Sequence, residues 1–376
     1  MILIGADFVP TKSNKKFFAE GNAEYLLGEE LCKMLQKADY RIFNLEIPLT
    51  DKETPINKCG PNLIADTNNV KLYEKIEVDL FTLANNHIMD QGEAGYFSTI
   101  NVLDNAGIDY LGSGNTLSDA CKPKIVEVKG KKIGIYSCVE HEFSIASANS
   151  AGANPFDVIK SYNHVYNLSN ACDYTIVLYH GGKEHYRFPS PNLQKYCRNF
   201  IEKGANIVIC QHSHCIGCEE NYKNGKIIYG QGNFLFDDSD DECWKTGLLI
   251  QIKDNFEINY IPVVKSANRI RLADEYEKTQ ILNQFDARSE MIKSEKFVYD
   301  NFSTFASKNI YNYLLWLTGV DNNIVFRIIN RIFRYKFSEF YIKKKYSKNQ
   351  MLKIENMTCC ESISELFVQG LKDINS

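Results

Sequence analysis

Residues 206–218 read NIVICQHSHCIGC, an apolar run that ends in two histidines set among three cysteines. Two readings are open on this stretch alone. His212 and His214 with Cys215 and Cys218 have the ligand types of a small structural zinc site. Alternatively, the histidines form one corner of a site whose other parts lie elsewhere in the chain. On an extended segment His212 and His214 would share a face. No second Cys or His pair lies nearby at ribbon or finger spacing, which favours the dispersed site. Cys210, Cys215 and Cys218 then read as small buried hydrophobes.

Working outward, ANIVIC (205–210) is one of several short apolar runs of β type. The others are ILIGA (2–6), YRIFNL (40–45), VDLFTLA (78–84), IDYLG (108–112) and DYTIVLY (173–179), with helix-like segments such as 22–38 and 192–203 between them. Near-continuous apolar strands alternating with helices imply sheets covered on both faces. KIVEVKGKKIGIYSCV (124–139) has the pattern of a hairpin around Lys129-Gly130-Lys131. KIIYGQGNFLF, TGLLIQIK and FEINYIPVV, within 226–264, read as consecutive antiparallel strands. The expected fold is a mixed α/β sandwich over 1–268, followed by a mainly helical extension over 269–376.

The residues after these runs carry chemistry. ILIGA is followed by Asp7, YRIFNL by Glu46, VDLFTLA by Asn85, Asn86 and His87, DYTIVLY by His180, and ANIVIC by Gln211, His212, Ser213 and His214. In open α/β sheets, ligands bind beyond the carboxyl ends of strands. A single strand-end His or Asp is usually a turn former, but five such ends in one chain are hard to obtain by chance. Two carboxylates, one amide and three imidazoles form a mixed N/O set suited to Mn²⁺, Fe²⁺ or Zn²⁺ with positions left open to water. Six ligands exceed one open site and suit two ions that share a carboxylate, about 3.5–4 Å apart, as in two-metal phosphoryl chemistry.

The chain has 376 residues, 44% hydrophobic and 24% charged, with a net charge of -4. It can bury a full core, and nothing in its charge points to a nucleic acid partner. Twelve cysteines without framework spacing read as reduced thiols. The opening MILIGADFVPTKSN turns polar too early for a secretory segment, and no run of roughly 18 apolar residues follows. A cytoplasmic protein is therefore expected, with peripheral membrane contact as an additional reading. That reading rests on residues 324–348, which carry eight basic residues and one acidic one. Ile324, Ile328, Ile332 and Tyr335 fall there at helical spacing. The stretch reads either as a helix packed on the main domain or as a contact for a membrane surface, a synthase or an anionic polymer.

The blocks GAD (5–7), NLEIPLT (44–50), LANNHIMDQG (83–92), GSG (112–114), HGGKEHYRFPSPNLQ (180–194), GANIVICQHSH (204–214) and YGQGNFLFD (229–237) resemble, in order and spacing, the CapA (poly-γ-glutamate/capsule synthesis) family, a branch of the calcineurin-like metallophosphoesterases. The resemblance covers about residues 1–265. It implies a metallophosphoesterase sandwich and two divalent ions, Mn²⁺ foremost, with Fe or Zn²⁺ as alternatives. Asp7 and His214 would hold one ion, and Asn86, His180 and His212 the other. Glu46 would bridge them. His87 would be the general acid, oriented by Asp90. Hydroxide generated at the ions would attack the phosphorus of a phosphorylated intermediate of capsule or surface-polymer synthesis. The rival reading is an accessory subunit that binds polymer or synthase with little hydrolase activity.

Three positions depart from the pattern. The wider superfamily has a histidine two residues after its first aspartate, where this chain has Val9. The family commonly lacks the intervening Ala6, and often has Trp where this chain has Gly181. The polar loop 183–187 reads either as a solvated loop or as a substrate contact through Lys183, Glu184 and Arg187, with Arg187 suited to a bidentate grip on phosphate or carboxylate. His141 and Glu142 follow the strand ending at Cys138 and are expected to line the same cleft, His141 as a substrate contact.

Overall fold

The computed structural model describes residues 1–333 and 336–375. They divide into two compact units, Met1–Tyr299 and Asp300–Ser376, and the boundary falls within the helix Glu295–Trp316.

The first unit is built on two mixed sheets. In one, Ile2–Val9, Tyr40–Asn44, Leu80–Thr82 and Asp109–Leu111 run parallel in that order. The strands Thr246–Ile252, Ile258–Ser266 and Arg269–Leu272 extend it on the other side in antiparallel fashion. The second sheet has Gly225–Tyr229, Ile207–Gln211, Tyr174–His180 and Lys131–Val139 as its parallel centre. The hairpin expected at 124–139 is present, with Lys129 and Gly130 at positive φ in its turn.

Three apolar layers hold this arrangement. Ile2, Ile4, Ile42 and Leu80 of the first sheet form one buried cluster with Ile135, Ile176, Leu178 and Ile209 of the second. Alternate residues of the same strands pack outward. Leu3, Phe8, Phe43 and Phe81 meet Leu26, Leu31 and Leu72 of the helices on one side. Tyr136, Val177 and Val208 meet Val165, Cys197 and Phe200 on the other. A strand buried on both faces needs an apolar residue at every position, which is why these strands read as continuous runs. The α/β class and sandwich are as expected, and so is the helical character of the C-terminal region.

Two local expectations are corrected. The segment 226–236 does not join the antiparallel series that follows it. Gly225–Tyr229 completes the second sheet, whereas Leu235–Phe236 crosses to pair in parallel with Ile2–Val9 of the first. The crossing turns on Gly230 and Gly232, both at positive φ. A Cβ on Gly230 would lie 2.8 Å from the Cys215 carbonyl oxygen, so this turn packs directly against the loop after His214. The helix expected at 22–38 is two helices, Ala23–Leu27 and Glu29–Gln36, broken at Gly28 with φ 75°.

The helix Glu275–Met291 belongs to the first unit. Its Phe285 is fully buried with Ile216 and Leu248. Its Arg288 Nε donates to the Gly217 carbonyl at 2.6 Å. It therefore braces the loop that carries His212 and His214 from behind.

Candidate metal centre

The parallel strands of both sheets deliver their ends to one place. Asp7 lies inside the strand Ile2–Val9, where pairing with Tyr40–Asn44 shifts register between Ile4 and Asp7. Glu46 follows Tyr40–Asn44, Asn86 follows Leu80–Thr82, and His180 ends Tyr174–His180. His212 and His214 follow Ile207–Gln211, but not as an extended alternation. Both adopt positive φ, 84° and 53°. The left-handed region is unfavourable for residues other than Gly, and strain of this kind concentrates at functional sites. Here it turns both imidazoles inward from a tight loop.

Four ligand-type atoms converge. His180 Nε2 is 3.0 Å from Asn86 Oδ1, 3.1 Å from His212 Nδ1 and 3.2 Å from Glu46 Oε1. Beside them, His214 Nδ1 is 3.3 Å from Asp7 Oδ2. Glu46 belongs to two of the three candidate groups among the described residues, Glu46-His180-His212 and Asp7-Glu46-His214, so one carboxylate adjoins two potential ion positions. The third, Glu140-Glu142-His212, lies on the outer side of His212 and includes the exposed Glu142. Ligand atoms about 2.0–2.1 Å from one divalent ion stand roughly 3.0–3.4 Å from each other in octahedral or tetrahedral geometry, which matches these separations.

Charge gives a second test of fit. Asp7 Oδ2 and both Glu46 oxygens are buried and accept no hydrogen bond, the neighbouring imidazole nitrogens at 3.2 and 3.3 Å not being aligned to donate. Unpaired buried carboxylate oxygens are costly unless a cation meets them. Burial, with Asp7 beside it, pushes the Glu46 carboxyl well above the usual carboxylate range. Burial, reinforced by His212 and His214, pushes His180 well below the ordinary imidazole range, leaving it neutral and able to donate a lone pair. For His212 burial acts downward, but Glu140 at 3.3 Å outweighs it and the net shift is upward. These buried His, Asp and Glu clusters suit divalent metal binding.

We expect metal loading to stabilise the protein. Titrating Mn²⁺ to a hundredfold excess over its dissociation constant should add about 2.7 kcal/mol per ion. A thermal melt should therefore rise by several degrees, and chelation should reverse the shift.

Next to the cluster, His87 Nδ1 lies 2.6 Å from Asp90 Oδ2, which also accepts from the Leu63 amide at 2.7 Å. The His87 amide donates to Asn85 Oδ1 at 3.1 Å. A lysine that sequence reading passed over completes this group. Lys58, only 3% exposed at its side chain, pairs with Asp90 Oδ1, and its Nζ is 3.3 Å from His87 Nδ1. It arrives from the irregular segment 51–66, which Gln91 anchors through Thr54. Removing one partner of a buried pair typically costs about 3–5 kcal/mol. Lys58→Met is thus expected to lower unfolding stability by about that amount. It should also reduce any turnover that depends on His87 while leaving bound metal unchanged. Denaturant unfolding and metal analysis on the same sample check both parts.

Glu140 was also missed. It follows Lys131–Val139, and its Oε1 faces His212. The strand-end rule finds it once that strand is read one residue further, past Cys138. Asn44 Nδ2 donates to Asp7 Oδ1 at 2.6 Å and lies 3.3 Å from His180 Nδ1. Asn233 Oδ1 lies 2.9 Å from His214 Nδ1. Trp244 packs against His214 with ring centres 4.4 Å apart and planes tilted by 30°, and its indole N–H donates to His185 Nε2. Asn233 lies within YGQGNFLFD (229–237), but nothing local in the sequence marks its direction.

The residues expected to contact substrate are not gathered in this way. Arg187 is held by Glu242, at 2.8 and 2.9 Å, and by the Ile216 carbonyl, so its guanidinium already has its bidentate partner. Glu184 and His141 are exposed, and Lys183 approaches Glu140 at 3.9 Å. Val9 is buried in the outer core and offers no ligand. At Gly181 a Cβ would fall 2.8 Å from the Tyr179 ring, which explains why no larger side chain stands there. The zinc reading of the opening stretch finds no support. Cys210, Cys215 and Cys218 are buried, and all cysteines are free thiols. No candidate metal group among the described residues includes a cysteine.

Known proteins give the cluster a context. The Bacillus anthracis capsule biosynthesis protein CapA is 29% identical over 247 residues, covering 63% of this chain and 59% of that protein. The Bacillus subtilis PGA biosynthesis protein CapA is 28% identical over 210 residues, 54% of this chain and 55% of that one. The chain thus spans less than two thirds of the length of these relatives. Among solved structures, a putative 5'-nucleotidase from Staphylococcus aureus overlaps with a TM-score of 0.42 at 13% identity, over 76% of this chain and 57% of that one. A phosphatase from Mycoplasma pneumoniae gives 0.42 at 14%, over 74% and 96%. Overlaps at this level carry no argument about chemistry. The profile described as "Bacterial capsule synthesis protein PGA_cap" matches residues 2–238, which include every residue of the two ligand groups. The chain belongs to this bacterial capsule synthesis family.

Proposed function

We propose that the protein is a dinuclear metal-dependent phosphoesterase acting on a phosphorylated intermediate of capsule or surface-polymer synthesis. The observation that carries this reading is the convergence of Glu46, Asn86, His180 and His212 within 3.0–3.2 Å of one nitrogen, with Glu46 shared by the Asp7-His214 pair. Asp7, Glu46 and His214 would hold one ion, with Asn233 offering a further amide oxygen where the superfamily histidine is replaced by Val9. Glu46, Asn86, His180 and His212 would hold the other. When bound, such ions lower the pKa of water and neutralise charge on a phosphoryl group. The relatives' names, capsule and PGA biosynthesis, support the choice of substrate class.

The chain's own residues supply the remaining work. Asn44 fixes the orientation of Asp7 by donating its amide N–H to Oδ1. Glu140 holds the His212 ring from its outer nitrogen. Asp90 occupies Nδ1 of His87, which leaves Nε2 as the nitrogen that exchanges a proton with a leaving oxygen. Trp244 shields the face of His214 from water.

Hydrolysis of p-nitrophenyl phosphate and its bis-ester by metal-stripped protein tests the proposal. Turnover should require added divalent metal, with Mn²⁺ foremost, and the preferred ester separates monoester from diester chemistry. A protein that binds two ions yet turns over neither ester, nor phosphorylated sugar or nucleotide esters, would instead be an accessory binding subunit.

A further inference from the structure

The second unit presents an unusual surface. Of the 27 large apolar side chains exposed among the described residues, 17 lie in residues 300–376. Scattered exposed apolar residues are ordinary, but a contiguous patch marks an interaction surface. The helix Ile324–Ile332 carries the clearest one. Its Phe326 turns inward onto Leu314, Leu315 and Ile342 of the same unit. Ile324, Val325, Ile328 and Ile332 are 71%, 59%, 56% and 70% exposed. At 3.6 residues per turn these four fall within a sector of about 100°, and Arg327 and Arg331 line its edge. Tyr335, read as part of this stripe in the sequence, lies outside the described residues. The next helix, Lys336–Lys345, ends in Lys343, Lys344 and Lys345.

The charge of this unit opposes that of the whole chain. Residues 300–376 contain eleven Lys and Arg against seven Asp and Glu, a net of +4, whereas the chain as a whole is at -4. We propose that the helix Ile324–Ile332 lies flat on an anionic phospholipid surface. Ile324, Val325, Ile328 and Ile332 enter the acyl-chain boundary, while Arg327, Arg331, Lys344 and Lys345 meet lipid phosphates. Lys343 is paired with Glu339. Lipid is the occupant that satisfies both halves of the surface. A polyanion such as nucleic acid would leave the apolar sector in water. A second copy of this chain would bring two cationic edges together. No described helix is long and apolar enough to cross a membrane, so the contact is interfacial. This proposal is independent of the metal centre.

Co-sedimentation of the full chain with vesicles tests it. The protein should bind mixed phosphatidylcholine–phosphatidylglycerol vesicles, bind pure phosphatidylcholine vesicles far more weakly, and be released by high salt. The exposed double substitution Ile328→Asp with Ile332→Asp should weaken binding at least about tenfold, as should Arg327→Glu with Arg331→Glu. Hydrolysis of a soluble ester and the melting temperature should not change in either variant. Failure to bind the anionic vesicles would overturn the proposal, as would binding that both double variants retain in full. So would a solution dimer that the isoleucine pair dissociates, because a second copy would then be what covers the stripe.

Discussion

Replacing Glu46 with alanine is expected to abolish phosphoester turnover and to remove at least one of the two ions. Glu46 is the residue common to both ligand groups, and it is fully buried. Its loss takes a ligand from each ion at once, which no other single substitution in the cluster does. The same position makes a second, opposite expectation. Both Glu46 oxygens are buried without accepting a hydrogen bond and lie beside Asp7 Oδ2, which His214 Nδ1 faces at 3.3 Å. Glu46→Gln keeps the shape, cannot take up the charge that burial beside Asp7 already disfavours, and supplies an N–H that can donate to Asp7 at any pH. It should stabilise the metal-stripped protein by about 1–2 kcal/mol. The native protein should overtake it once metal is added. Melting curves with and without Mn²⁺ check the crossing. A Glu46→Gln variant less stable than the native chain in both states would mean that the carboxylate is a structural element rather than a metal ligand.

His87→Gln should behave differently. The side chain follows Asn86 in the chain, is held by Asp90 and Lys58, and belongs to neither of the two groups that share Glu46. Metal content should therefore stay at the native level. Turnover of an ester with a poor leaving alcohol should fall about 10²–10⁴-fold, the usual size of a lost acid. An activated ester such as p-nitrophenyl phosphate should lose much less, because its leaving group needs no proton. Equal losses on both esters would show that His87 acts on binding or on architecture. Retained turnover on the poor leaving group would remove it from the mechanism.

The strand ends were legible because burial on both faces forces apolar runs, and a polar residue that terminates such a run stands out. Asp7, Glu46, Asn86, His180, His212 and His214 are all found that way, and the structure brings them together. Glu140 is found by the same logic only if the strand Lys131–Val139 is read to its true end. Lys58 comes from an irregular segment and Trp244 from the short 3-10 turn Glu242–Lys245, so no period or spacing announces them. The convergence of His212 and His214 was expected for the wrong geometric reason, since positive φ rather than strand alternation turns them inward. Arg187 had the chemistry of an anion ligand, but a partner 55 residues away, Glu242, already satisfies it. Charge type is visible in sequence, whereas prior pairing is not.

The centre itself is tested most directly by calorimetric titration of metal-stripped protein with Mn²⁺. Two ions should bind per chain, and His214→Ala should lose one of them while keeping the other on Glu46, Asn86, His180 and His212. A chain that binds one ion or none, or that binds two ions unaffected by His214→Ala, would contradict a shared dinuclear centre at these strand ends.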